Sequence, residues 1–163
     1  MYTPIRLVAS LVTLLLALPV SASEGHLGSL TITQPWSRAT APGASTGAAY
    51  FDIINSGPAD TLLRIESPIA REVQVHMEYT AGGMMHMRPM ASVEVPQRDR
   101  VRFQPGGLHV MLIDLKQSLH EGQRFPLTLV FQHSGTVRVE VIVQGLGAMA
   151  APGHGAGTHE HHH

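Results

Sequence analysis

From residue 30 onward, apolar and polar residues alternate in short runs separated by turn-forming residues. The clearest run is Thr136-Val137-Arg138-Val139-Glu140-Val141, valine on one face and polar or charged residues on the other. A half-buried antiparallel strand demands that alternation. Similar runs occupy Leu30–Gln34, Ala48–Asn55, Leu62–Glu66, Glu72–Tyr79, Met84–Arg88, Ser92–Val95, Arg100–Gln104, Leu108–Leu115, Phe125–Gln132 and Thr136–Gln144. Between them stand Asn55-Ser56-Gly57-Pro58, Ala81-Gly82-Gly83, Pro105-Gly106-Gly107, Glu121-Gly122 and Ser134-Gly135, residues that favour turns. No sustained helical period follows residue 24; Asp114–Glu121 has room for a single helical turn. With no internal repeat, the pattern predicts an all-β protein, a two-sheet sandwich of about nine strands.

The two ends read differently from this middle. Met1–Ser23 carries Arg6, then an almost unbroken apolar run over Leu7–Leu18, then the small residues of Val20-Ser21-Ala22. That is the layout of a cleavable signal peptide, and a dozen apolar residues fall short of the roughly 20 that span a bilayer. The expected division is a signal peptide over 1–22, a sandwich domain over 28–146 and a flexible, disordered tail over 147–163. Cleavage after Ala22 fits the small-residue pattern. Cleavage after Ser23 would instead expose Glu24-Gly25-His26, a terminus able to wrap Cu(II). The tail, GAMAAPGHGAGTHEHHH, has nothing to bury. Its histidines are interspersed, which suits a native metal-binding tract better than a purification tag. Export to the periplasm is therefore expected, with no stable membrane insertion.

Charge and composition narrow the chemistry. Eleven basic and twelve acidic side chains nearly cancel. Removing residues 1–22 takes away Arg6 and no acid, leaving a net charge of −2. Nucleic acid is not an expected partner, since binding it needs a concentrated basic surface. There is no cysteine, so disulfides, thiolate metal sites, cysteine nucleophiles and a cysteine-linked lipid are ruled out for this chain. Scattered Ser, His, Asp and Glu residues form no recognisable catalytic arrangement, so no enzyme activity is expected.

What stands out is sulfur and imidazole: eight methionines and eleven histidines. Five methionines, Met77, Met84, Met85, Met87 and Met90, fall within fourteen residues. Parity sorts them. In Glu72–Tyr79 the residues Val73, Val75 and Met77 share one face, which predicts Met77 in the core, while Gln74, His76 and Glu78 share the other. In Leu108–Leu115, His109 and Met111 project together, opposite Leu108, Val110 and Leu112. Met85 pairs with Met87, and Met84 with His86, without parity saying which pair faces inward.

Thioether sulfur is a soft neutral donor. With no thiolate present, methionine plus imidazole selects Cu(I) over zinc, magnesium or calcium. The chemical reading is that His76, Met87, His109 and Met111 converge on one Cu(I). The plainer reading, surface histidines beside packing methionines, stands next to it on composition and parity alone. The tail residues His154, His159, His161, His162 and His163 are candidate Cu(II) ligands.

The spacing H-x10-M-x21-H-x-M, from His76 through Met87 and His109 to Met111, resembles the signature of the periplasmic copper chaperones of the PCuAC type. The flanks are similar too: ITQPWSRATAPGASTGAAYF at 32–51, MHMRPM at 85–90 and PGGLHVMLIDLKQSLHEGQRFPLTLVF at 105–131. The resemblance covers about residues 28–144. It implies a cupredoxin-like or immunoglobulin-like sandwich, a monomer whose four ligands hold Cu(I). It further implies delivery to a copper-accepting protein, the binuclear centre of cytochrome c oxidase or an assembly factor for it, and a tail that handles Cu(II). The tail here departs from that pattern in having five histidines and only Met149. The competing class is a metal-independent extracytoplasmic β-sandwich that serves as an interaction module. Trp36 is expected in the core or lining a cavity. Arg38 is expected in a surface ion pair or orienting a group near the metal, and Met84, Met85, His86 and Met90 in packing or a soft surround to the site.

Overall fold

The structure is a computed structural model that describes residues 24–152. Eleven strands follow one another: β1 Gly25–Leu27, β2 Leu30–Arg38, β3 Thr46–Asn55, β4 Asp60–Glu66, β5 Ala70–Ala81, β6 Met84–Met90, β7 Val93–Val95, β8 Arg100–Phe103, β9 Leu108–Leu115, β10 Arg124–Phe131 and β11 Thr136–Gln144. The all-β class is as expected. The strand beyond the predicted ones is β1, too short for three residues to show a period. Gly25 is required there, because a Cβ would stand 2.5 Å from a Val139 methyl. Pairing of residues 25–27 with 30–32 also commits the backbone a Glu24-Gly25-His26 copper loop would need.

Hydrogen-bonded neighbours run in the order β6-β5-β9-β8-β3-β2-β11-β10-β4-β7, with β1 on β2 and β9 also on β3. The two halves of this path enclose one core. Val75, Ala49, Val110 and Leu112 come from one half, and Leu62, Ile65, Leu127, Leu129, Val139 and Val141 from the other. Two predictions need correction. No helical turn forms at Asp114–Glu121: Leu115 N–H donates to the Ser45 carbonyl, Lys116 N–H to Ile69 and Leu119 N–H to Thr40 Oγ1. Those amides are used across the fold, and the buried Leu119 side chain draws the segment inward instead of coiling it. Met77 is only half-buried, because β5 leaves the core after Val75.

The face of β5, β9, β3 and β2 that points away from this core positions the chemistry. In β2 the register shifts between Thr33 and Trp36, at Gln34 with its positive φ of 54°. This bulge reverses the alternation, so Leu30 and Ile32 face the main core while Trp36 faces out. Trp36 builds a second, smaller cluster there with Tyr50 and Ile142, its ring centroid 4.6 Å from that of Tyr50. It also lines a cavity of about 280 Å³ that Met149, Ala150 and Ala151 help to wall. Arg38 does not form the expected surface ion pair. Its Nε donates to the Ala148 carbonyl at 2.6 Å, its Nη2 lies 3.1 Å from Met149 Sδ, and its guanidinium lies over the Tyr50 ring. Residues 148–151 thus pack onto the outer face. The tail histidines from His154 onward lie outside the described residues.

Candidate metal centre

Register brings together residues that lie far apart in sequence. In the β5–β9 pair His76 stands directly opposite His109, and Gln74 opposite Met111. The two imidazole centroids are 5.9 Å apart, their planes at 57°. In the β5–β6 hairpin Glu78 stands opposite Met87, and His76 opposite Pro89. All four predicted ligands therefore lie on one face, on three adjacent strands. Met111 is one diagonal step from His76, a separation of about 7 to 8 Å that long side chains bridge. Met87 is the outlying member, two strands from His109. The other methionines divide by parity. Met85 shares the face of Met87, Met84 and His86 lie on the opposite one, where His86 stacks on Tyr79, and Met90 packs against the core.

The two histidines are held in opposite senses. His109 is 5% exposed, and its Nδ1–H donates to the Gly107 carbonyl at 3.0 Å. A neutral ring so held carries its lone pair on Nε2. His76 bonds through Nε2 to Gln74 Oε1 at 2.7 Å, while its Nδ1 is buried without a hydrogen-bond partner. Burial first, and the charge of His109 second, hold the His76 pKa below the ordinary histidine value. Both work against an imidazolium and keep the ring in the form that can ligate. Glu78 and Arg38 act on the nearby Tyr50: burial raises its hydroxyl pKa, Arg38 opposes that and Glu78 adds to it.

Among the described residues no group of three or more His, Asp or Glu side chains could hold a metal. Met111 and Met87 add two thioether sulfurs to the same face as the two histidines. The donor set, two neutral imidazoles and two thioethers, suits a soft monovalent d¹⁰ ion and gives a hard dication little. Gln74 was not singled out from sequence. Parity puts it beside His76, but an amide there looks like any half-exposed polar residue until its bond is seen.

Comparison with known proteins follows the same outline. The chain is 30% identical over 131 residues to "Putative lipoprotein Lxx21020" of Leifsonia xyli subsp. xyli (strain CTCB07), covering 78% of each. The copper-bound PCuAC domain from PmoF2 superposes with a TM-score of 0.65 at 29% identity, over 76% of this chain and 98% of that one. The solution structure of CuI-DR1885 from Deinococcus radiodurans gives a TM-score of 0.56 at 26% identity, over 80% and 81%. Residues 30–143 match the family described as "Putative lipoprotein LpqE-like". With that match spanning the sandwich from β2 to β11 and its fold shared with PCuAC domains, the chain belongs to the LpqE-like family.

Proposed function

We propose that this protein is a periplasmic copper chaperone that carries Cu(I) on His76, Met87, His109 and Met111 and passes it to a copper-accepting partner. The observation that carries the reading is the cross-strand histidine pair. His76 Nδ1 is buried with no partner, and the His109 lone pair is directed by the bond its Nδ1 makes to Gly107. A buried polar atom without a partner costs about 1 to 3 kcal/mol, and a metal bond would remove that cost. The likeness to a copper-bound PCuAC domain and to CuI-DR1885 supports the choice of metal.

Four neutral ligands leave the complex at +1 and impose no redox change. His109 and Met111 on the central strand β9 form the fixed side of the site. Met87 is 47% exposed on the edge strand β6, the most open member of the proposed set. A shell with one ligand on an edge strand opens to a receiving protein more readily than a sealed cage. The binuclear centre of cytochrome c oxidase, or an assembly factor for it, is the destination the resemblance points to. Residues 1–22 direct export and are then removed, the carrier works as a monomer, and no catalytic step is assigned to it. The name "lipoprotein" belongs to the relatives; this chain has no cysteine to carry a lipid. The tail residues His154, His159, His161, His162 and His163 capture Cu(II), and residues 148–151, held on the ligand-bearing face, root that tail beside the site.

Anaerobic Cu(I) titration against a competing chelator tests the main site. One tight equivalent, lost in His76→Ala and in Met111→Ala, is the expected result. No tight equivalent would overturn the reading in favour of a metal-independent interaction module. Truncation after Gly147 should lower Cu(II) stoichiometry and leave the Cu(I) equivalent in place.

A further inference from the structure

We infer that Gln74 is a positioning residue that presents Nδ1 of His76 to copper, so that the two histidines ligate through different ring atoms. The inference rests on the copper reading above and concerns which atom does the binding and what sets it. It begins at Glu72, whose carboxylate can only accept. Gln74 Nε2 donates to Glu72 Oε1 at 2.5 Å, which fixes the amide: the NH₂ end faces Glu72 and the carbonyl end faces His76. An acceptor facing His76 at 2.7 Å requires a proton on Nε2. In a neutral imidazole the lone pair then falls on Nδ1, the atom that is buried and unpartnered. Glu72, Gln74 and His76 alternate along one face of β5, so the strand's period of two lines up the three side chains.

His109 reaches the opposite tautomer by a different route, its Nδ1–H held by the Gly107 carbonyl. A backbone carbonyl cannot be removed by a side-chain substitution, whereas the Gln74 amide can be. The site therefore has one histidine oriented by main chain and one oriented by a side-chain relay. Gln74 also stands opposite Met111 across the β5–β9 pair, so its position is tied to a second ligand. Partners of this kind, outside the ligand shell, typically change metal affinity by about 10- to 100-fold when removed.

The test uses the mature full-length chain with ¹⁵N-labelled histidine, because Cu(I) is diamagnetic and its ligating nitrogens shift in long-range ¹H–¹⁵N spectra. In the unsubstituted protein, Cu(I) should move Nδ1 of His76 and Nε2 of His109. Gln74→Leu should weaken Cu(I) binding about tenfold in chelator competition, with the His109 shift unchanged. Gln74→Glu keeps an acceptor opposite Nε2 and should keep Nδ1 as the ligating atom. A shift at Nε2 of His76, or equal affinity in Gln74→Leu and the unsubstituted protein, overturns the inference while the copper site stands. If Cu(I) moves neither ring nitrogen of His76, the ligand set itself falls and the inference with it.

Discussion

Two hairpins of this molecule use the same alternating backbone for opposite ends. In β10–β11, Phe125, Leu127, Leu129, Phe131, Val137, Val139 and Val141 all point inward and are buried. In the outer part of β5–β6, beyond Val75, the alternation continues but burial fades toward the tip. Met84 is 65% exposed, Met85 70% and Met87 47%. Hydrophobic burial therefore holds the first hairpin and contributes little to the tip of the second. Methionines this exposed need another account, and for Met87, which shares a face with His76 and His109, the proposed role as donor sulfur offers one. If the proposed site is right, the contrast separates residues kept for stability from residues kept for chemistry, and substitutions in the two hairpins should separate likewise.

The largest effect is expected in the buried hairpin. Leu129→Ala removes a fully buried side chain and should cost about 3 kcal/mol, measured by urea unfolding. The folded fraction should still take up one Cu(I). A substitution there that abolished copper binding without unfolding the chain would break the separation.

Next comes the clamp at the turn of that hairpin. Asp60 accepts bonds from the amides of Thr61, His133 and Ser134 and from Ser134 Oγ. Burial works to raise its pKa, but the Ser134 hydroxyl and the three amides outweigh burial and hold it down at about 2. A depressed carboxylate stabilises the fold above its unfolded pKa, near 3.8, and that contribution is lost as pH falls toward 2. At neutral pH it is about 2 kcal/mol. Asp60→Ala should lose about that much at pH 7 and show a flatter stability profile between pH 4 and 2. Copper binding titrates elsewhere. The depressed His76 stays neutral as pH falls through the ordinary histidine value, so protonation should remove His76 from the ligand set only below it.

The exposed hairpin gives a smaller effect of the other kind. Met87→Leu keeps the apolar volume and removes the sulfur. Unfolding should be unchanged, and Cu(I) affinity should fall about tenfold, or about 1.4 kcal/mol. A stability loss with unchanged copper affinity would make Met87 a packing residue after all.

Much of this division is readable in the sequence, and the unread parts have definite physical causes. Period-two alternation marks a face, so the placing of His109 and Met111 opposite Val110 and Leu112 follows directly. Alternation does not say which strand lies alongside. That His76 meets His109 depends on pairing across residues 70–77 and 108–115, which no local pattern encodes. Trp36 is buried and lines a cavity as expected, but the face it takes was out of reach, since parity fails at a bulge and Gln34 at positive φ reverses it. The role of Gln74 needed the direction of one amide, which only Glu72 fixes.

The smallest expected effect is the sharpest test of the sulfur argument. Met84 neighbours Met85 in sequence and matches it in exposure, yet register puts it on the face with Ala81, Tyr79 and His86, turned away from His76 and His109. If exposed methionines on this hairpin served as a general greasy surface, Met84 and Met87 would be equivalent and their leucine variants would behave alike. If sulfur serves the ion, only the face matters. Met84→Leu should change unfolding by less than about 0.5 kcal/mol and leave Cu(I) affinity where it was. The pair of leucine variants, differing by three positions and one face, thus reads the direction of a side chain from a copper titration. A loss in Met84→Leu equal to that in Met87→Leu would show that the hairpin offers its sulfurs without regard to face, and the four-ligand assignment would have to be redrawn.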